Sequence, residues 1–408
     1  MTRKKTDKGN NMAKNKNPNI KLVTPPTLEE IRQKRRRMRT DRIKRIITFT
    51  ILAAMTVYGT YLLVTSHPYT SIHRGGSYKK ETSDSNHYQA FGNGIVRYSR
   101  DGVAFLNYQN EEQWIQPGQF QNPIIDTAAG AFAVADNGGN TIQVFTEKGL
   151  KGEIETTLPI EKISVSDQGI VSTILRNDTS PQVITYDAAG NILVENQVST
   201  NTLGYPVALE MSPDGTVLMT SYLYTKAGSL KARVVYYNFG EKGKSEKDHI
   251  VGMEEFSEAV IPEVYFINKK ISVAVSDHSF SVYEGAQAPA KKVEVQIDQQ
   301  IKSAFHSDRY IGFVLLNQEK SGYEVRLYNT SGREVMNRTI NGEYENVEMV
   351  GNEIILYEGS RCCIITNTGI QRYKGDLRID ALAVIPAVGL NRYYIMGTDE
   401  LREIYLTK

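Results

Sequence analysis

The feature that most constrains this 408-residue chain is a recurrence. Six times a run ends in an apolar or aromatic residue and a Gly follows closely: Phe145…Gly149, Tyr186…Gly190, Tyr236…Gly240, Tyr283…Gly285, Tyr328…Gly332 and Ile365…Gly369. In five of the six the Gly stands four positions on. A Gly there permits the positive φ that a tight hairpin needs. Leu106 and Tyr405 mark equivalent runs without the Gly, giving eight units at intervals of 39, 41, 50, 47, 45, 37 and 40 residues. From Gly94 onward no helical periodicity interrupts the pattern. Short Val/Ile/Tyr/Phe-rich runs alternate with Gly, Asn, Asp and Pro clusters, as strands alternate with turns. A period near 40 residues with about four short strands per unit predicts an all-β fold, a β-propeller of about eight blades. Seven is the count if the end segments merge into one blade.

The units can be cut into strands. One reads Asn122–Asp126, Phe132–Asp136, Thr141–Thr146 and Gly152–Thr156; the next reads Lys162–Ser166, Ile170–Leu175, Gln182–Tyr186 and Ile192–Glu195. No unit can bury both faces of its sheet alone, so neighbours must stack. The last unit stops after Leu406 one strand short. The segment near Tyr88–Ser99 is expected to supply that strand and close the ring, which removes exposed edges.

The other end of the chain has a different character. Met1–Arg45 holds 16 Lys and Arg against 4 acidic residues, while Ile46–Lys408 holds 32 basic and 42 acidic ones. At the step lies Ile46–Val64, 19 residues without a charge. At about 1.5 Å per residue this run nearly matches a bilayer core of about 30 Å. The predicted anchor includes Ile46, Phe49, Leu52, Val57, Leu62 and Val64. A basic flank of Arg35, Arg36, Arg37, Arg39, Arg42, Lys44 and Arg45 suits an inner leaflet, where each charge near anionic headgroups is worth about 1 kcal/mol. A cleaved signal peptide fits less well, because the basic region is long and no small-x-small site follows. Nucleic-acid binding is the other reading of the basic run; its place beside the apolar segment favours lipid. Thr27-Leu-Glu-Glu30 has the capping-box pattern and starts a helix that runs into the span. The expected organisation is a basic cytoplasmic tail, disordered then helical, over 1–45, a transmembrane helix over 46–64, a polar linker over 65–93 and an extracytoplasmic propeller over 94–408. That places the protein in the cell membrane as a single-pass protein.

The units resemble those of the PQQ-like and WD40/YVTN propellers. Ser212-Pro-Asp-Gly215 before Thr216-Val-Leu is similar to the turn that opens a strand in TolB-like and WD40-like blades, and Gly94–Trp114 to a quinoprotein-type unit. The whole arrangement resembles an uncharacterised family of Gram-positive bacterial single-pass membrane proteins, a domain of unknown function. Its most distinctive stretches here are Asp136-Asn-Gly-Gly-Asn140, Ile160-Glu-Lys-Ile-Ser-Val165 and Gly204-Tyr-Pro206. The resemblance implies a place and a fold, and no activity.

Enzyme classes built on this architecture need residues that are missing. A quinone-dependent dehydrogenase needs Trp docking motifs in most blades, and the chain has 1 Trp. A sialidase needs Ser-x-Asp-x-Gly boxes, and Ser99-Arg-Asp-Gly102 and Ser212-Pro-Asp-Gly215 place the Gly one residue early. A propeller peptidase needs a hydrolase domain with a Gly-x-Ser-x-Gly elbow. Asp277-His278 reads as a solvated pair before an acid–base pair, and Asp136–Asn140 as a turn before a calcium loop. His67, His73 and His87 sit on the expected linker, where nothing fixes a metal geometry. Cys362 and Cys363 are neighbours on a strand, so they point to opposite faces and read as small core residues; a vicinal disulfide is the alternative. The expectation is therefore no enzyme, no catalytic residue, no cofactor and no metal. The expected function is binding or scaffolding of a protein, peptide or cell-envelope ligand, without nucleic acid. An extracytoplasmic quinoprotein, hydrolase or lyase, and a transmembrane sensor, are the alternatives. The charged insertion Glu241–Glu258 is expected to be a rim loop, where binding commonly resides.

Overall fold

In a computed structural model, residues 28–66, 68–79, 86–177, 180–197, 203–317, 322–387, 389 and 391–408 are described. The chain divides into two units, Met1–Thr65 and Ser66–Lys408.

In the first unit a single α-helix of 39 residues spans Leu28–Ser66. It begins directly after Thr27, which lies outside the described residues, as does the rest of the tail from Met1. Hydroxyls inside the apolar run are satisfied by the helix itself: Thr48 Oγ1 donates to the Lys44 carbonyl at 2.8 Å, Thr50 to Ile46 at 2.8 Å and Thr56 to Leu52 at 2.8 Å. Such back-bonding removes the need for water at these groups. Ile46, Ile47, Phe49, Ile51, Leu52, Met55, Val57 and Tyr58 are all exposed. Among the described residues, no helix is long and apolar enough to cross a membrane. The expected span also needs Leu62 and Val64, whose side chains lie outside the described residues.

The second unit is a ring of eight antiparallel four-stranded sheets. Blade 1 is His87–Phe91, Gly94–Ser99, Gly102–Leu106 and Glu112–Pro117; blade 2 is Pro123–Thr127, Phe132–Asp136, Thr141–Thr146 and Gly149–Glu155; blade 3 is Ile160–Val165, Val171–Leu175, Gln182–Tyr186 and Ile192–Gln197. The strand cuts made from sequence agree with blades 2 and 3 to within a few residues. Innermost strands of blades 4 to 8 are Tyr205–Met211, Glu263–Asn268, Gln300–His306, Asn346–Val350 and Ala383–Pro386. All eight repeat markers, Leu106 to Tyr405, fall on the third strand of a blade, so the count is eight and the merged seven-blade alternative is excluded.

Ring closure corrects one expectation. Blade 8 contains Ala383–Pro386, Arg392–Met396 and Glu400–Thr407, and its fourth, outermost strand is Ser71–Lys79, paired with Glu400–Thr407. The segment Tyr88–Ser99 instead belongs to the first two strands of blade 1. Within the expected linker 65–93, Ser71–Lys79 and His87–Phe91 are thus strands of blades 8 and 1. Its outer strand looked polar because an outer strand buries little: only alternate residues of Ser71–Lys79 are even half-buried.

The burial pattern explains the composition of each strand. Second strands lie between two neighbouring blades, so Phe132–Asp136 and Val171–Leu175 are buried at every position; the first is apolar up to Asp136, and the second also buries Ser172 and Thr173. Outer strands face solvent, and Glu112–Pro117 alternates exposed and half-buried. Eight hydrophobic clusters fill the interfaces around the ring. Between blades 1 and 2 Phe91 meets Phe132 edge to face at 4.8 Å, Phe132 stacks on Phe145 at 5.0 Å, and Trp114 stacks on Phe145 at 5.3 Å. Trp114 Nε1 donates to the Glu147 carbonyl at 2.9 Å, which ties blade 1 to blade 2. Trp114→Phe keeps the stacking and loses this bond, so thermal unfolding should show a loss of about 1 kcal/mol. Cys362 and Cys363 are both buried as free thiols. They point to opposite faces, Cys362 into the blade 7–8 core and Cys363 into the blade 6–7 core. Burial pushes the Cys363 thiol up to about 11, which keeps it protonated and unreactive near neutral pH.

Two further expectations are corrected in blade 4. Gly240 is not a hairpin glycine with positive φ; it precedes a short helix, Glu241–Lys244. The remainder of the insertion Glu241–Glu258 is largely the blade's fourth strand, Ile250–Ser257, so only its first half is a rim excursion.

Candidate functional site

The three distinctive stretches of the sequence meet where the turn after the second strand of blade 2 packs on the inner strands of blades 3 and 4. The turn Asp136–Asn140 docks on blade 3: Gly138 N donates to the Ile160 carbonyl at 2.8 Å, and Ile160 N donates to the Gly139 carbonyl at 2.8 Å. Asn137 Nδ2 donates to the Glu161 carbonyl at 3.1 Å. Tyr205 Oη in turn donates to Glu161 Oε2 at 2.6 Å, which joins blade 3 to blade 4. Gly138 adopts φ +87, the left-handed region that favours glycine at this turn. Asp136 is not poised as a free ligand. Its Oδ1 accepts from Gln121 N at 2.9 Å and from Asn122 N at 2.8 Å, fixing the link from blade 1 into blade 2.

Deeper along the same strands lies a group of carboxyls that sequence reading missed. Asp126 Oδ2 accepts from Val165 N at 2.6 Å. Ser164 Oγ donates to Glu210 Oε2 at 3.1 Å and accepts from Met211 N at 2.9 Å. Burial raises both Asp126 and Glu210 above the usual carboxyl range, and the charge of Asp126 raises Glu210 further. Like charges placed together oppose one another's ionisation, so each carboxyl favours the protonated form of its neighbour. Glu263, on the inner strand of blade 5, is pushed by burial up to about 7, opposed by Lys162. Beyond it, Tyr265 stacks on His306 of blade 6 at 4.0 Å and 9°. Desolvation by the surrounding blades lowers the His306 imidazole although part of the ring is exposed. The sequence signal for this group was an acidic residue inside an otherwise apolar inner strand, as in Pro-Ile-Ile-Asp126 and Ala-Leu-Glu210-Met.

At the end of the ring where the inner strands begin, a groove of about 560 Å³ opens between blades 1 and 2. It is lined by His87, Arg100, Gln121, Asn122, Pro123, Ile124 and Asn137. His87 stacks on Tyr98 at 5.2 Å. A smaller cleft of about 300 Å³ lies near the other ends of the inner strands of blades 1, 7 and 8, lined by Phe91, Tyr108, Glu348, Val350, Ile385 and neighbours.

The residues expected at the membrane lie in the first unit. Ile46, Phe49, Leu52 and Val57 lie on the first unit's helix, and Leu62 and Val64 occupy its last turns. Arg35, Arg36, Arg37, Arg39, Arg42, Lys44 and Arg45 are exposed along its first half. Asp277 and His278 form an exposed neighbour pair at 2.9 Å on a hairpin turn. His73 lies on the closing strand, His87 starts blade 1, and His67 is outside the described residues. Among the described residues no three His, Cys, Asp or Glu side chains are grouped to hold a metal ion.

The sequence profile of a family of unknown function (DUF5711) matches residues 65–406, a stretch that takes in the closing strand Ser71–Lys79. No curated protein sequence matches the chain. Among solved structures, the fold is similar to BamB from Moraxella catarrhalis, at 11% identity over 82% of this chain and 100% of that one, with a TM-score of 0.48. It is similar also to the WD40 domain of Neurospora crassa Pan2, at 9% identity over 70% and 90% of the two chains with a TM-score of 0.43. A third similar structure is BBS1N in complex with ARL6DN, at 9% identity over 84% and 98% with a TM-score of 0.45. At these identities the likeness is one of fold.

Proposed function

The chain belongs to the family of unknown function DUF5711, and we propose that it is a non-catalytic binding or scaffold module for a protein, peptide or envelope ligand. The observation that carries this reading is the groove between blades 1 and 2. Its guanidinium, imidazole and three carboxamides are groups that hold a polar ligand, and they are set on rigid strands and short turns. Pockets of roughly 300–1,000 Å³ with a few convergent polar groups are the usual form of such sites. The module is tethered to the cell membrane by Ile46–Val64, with its basic tail cytoplasmic and its propeller outside. The support for the tether is the uncharged run and the charge step across it. Full-length protein used as bait should retain a specific ligand from envelope extracts, and the protein itself should stay with the membrane pellet through alkaline carbonate washing. Recovery of no ligand, or release into the wash, would count against the respective half of the reading.

A second reading, hydrolase or lyase chemistry in the channel, is favoured by one observation. Asp126 and Glu210 are held on either side of the Ser164-Val165 strand, by Val165 N and Ser164 Oγ, and their carboxyls are raised in the way a general acid requires. Turnover in a screen of envelope polymers that disappears in Glu210→Gln would establish it.

A further inference from the structure

We propose that the groove between blades 1 and 2 recognises an acidic peptide segment of a protein partner, through Arg100 with support from Arg176; this rests on the binding reading above. The motivation is charge set against its surroundings. From Ile46 to Lys408 acidic residues outnumber basic ones, 42 to 32, yet no carboxylate lines the groove. Asp136, beside Asn137 of the groove wall, spends one oxygen on the two backbone N–H groups of Gln121 and Asn122. Many of the ring's guanidinium groups are committed to carboxylates: Arg97 pairs with Glu112, Arg326 with Asp298 and Glu324, Arg372 with Glu353, Arg392 with Glu403. Arg100 has no such partner among the described residues, and its side chain is exposed at the groove.

A second guanidinium stands close by. Arg176 is exposed, without an ion-pair partner among the described residues, and its Nη2 comes within 3.8 Å of where a Cβ on Gly138 would lie. Gly138 directly follows Asn137 of the groove wall. The Asn137-Gly138 turn is pinned to Ile160 and Glu161 by three hydrogen bonds, so it forms a fixed wall. A planar guanidinium is suited to a carboxylate because it offers two parallel N–H donors. The carboxamides of Gln121, Asn122 and Asn137 both donate and accept, which suits the alternating N–H and C=O of a peptide backbone. Pro123 and Ile124 add an apolar floor. A phosphate polymer would call for a denser cluster of cations than these two guanidinium groups.

The test uses full-length protein and three fluorescent decapeptides of one sequence pattern, with Glu, Gln or Lys at alternate positions. Inorganic polyphosphate serves as a competitor. The Glu peptide should bind, and the Gln and Lys peptides should not. Arg100→Ala should weaken binding about tenfold or more, the scale of losing a hydrogen bond to a charged group. Arg100→Lys should fall between, and Arg176→Ala should weaken binding less. Arg309→Ala, on a turn after the far end of a blade 6 inner strand, should bind as wild type. Unchanged melting temperatures would show that the variants fold. Equal binding of Glu and Gln peptides, or full affinity in both Arg100 variants, would overturn the proposal. So would polyphosphate binding that depends on Arg100 while the peptide does not bind. In any of these outcomes an envelope ligand recovered equally by wild type and Arg100→Ala would leave the broader binding reading standing.

Discussion

A chain shortened to begin at Asn86 should fail to form a stable ring, whereas one beginning at Pro68 should fold and melt cooperatively. The difference is the strand Ser71–Lys79 and the residues that lead into it. Its backbone pairs with Glu400–Thr407 from Ser71 opposite Thr407 to Lys79 opposite Glu400, with a bulge at Gly75-Gly76. Just before it, Tyr69 is buried in the blade 7–8 core and its N–H donates to the Arg372 carbonyl at 2.6 Å. The Arg372 guanidinium lies 5.5 Å over the Tyr69 ring. Each backbone bond contributes about 1 kcal/mol net, so losing the strand costs several kcal/mol, a large part of the roughly 5–15 kcal/mol that holds a domain folded. The loss also leaves Glu400–Thr407 as an open edge able to pair with another chain. Circular dichroism melts and size-exclusion chromatography of the two truncations decide the matter. A similar, monomeric melting profile for both would show that the ring closes without this strand.

Glu210→Gln should stabilise the protein at pH 8, by about 2 kcal/mol, and leave it nearly unchanged at pH 5. That magnitude is the usual cost of a buried polar group with poor compensation. The sign follows from the carboxyls. Asp126 rises from its ordinary value to about 6, Glu263 rises to about 7, and Glu210 is raised by burial and by Asp126. A carboxyl whose folded pKa is raised favours the fold while protonated. Its contribution is complete below the unfolded value near 4 and is lost as pH climbs through the folded value. Wild type should therefore lose stability between about pH 4 and pH 7, and Gln, which never ionises, should not share that loss. His306 works the other way. Its imidazole is lowered to about 4, so it favours the fold while neutral and costs stability as pH falls below its ordinary value. Comparing variant with wild type at each pH cancels that term. Differential scanning calorimetry in steps from pH 5 to pH 8 gives the comparison, and a constant difference across the range would sink it.

Much of the ring was legible because blade repetition writes itself into spacing. Leu106, Phe145 and Tyr186 mark third strands, and Phe132–Asp136 is apolar at nearly every position because both of its faces meet a blade. The closing strand was not legible. In Ser-Ile-His-Arg-Gly-Gly-Ser-Tyr-Lys79 all but Ile72 and Tyr78 are glycine, polar or charged, as an outer strand with little to bury allows. The groove and the carboxyl group were not legible either. Arg100, Asn122 and Asn137 sit in three different turns or strand ends. Asp126, Ser164 and Glu210 come from three blades, separated by 38 and 46 residues. Only the distinctive stretches Asp136–Asn140, Ile160–Val165 and Gly204–Pro206 pointed toward that side of the ring, and nothing in their spacing shows that they touch.

By itself the sequence determined the class of fold, a repeat near 40 residues, the placement of most strands and the charge step at Ile46. Those are local properties, set by side-chain alternation, glycine at turns and the run length of apolar residues. The tertiary structure decided that the blades number eight, which strand closes the ring, which acids lie together and which arginines lack a partner. Each of these depends on the distance between residues far apart in the chain. That distance is fixed only when eight sheets pack around one axis and the interface between blades 8 and 1 closes the circle.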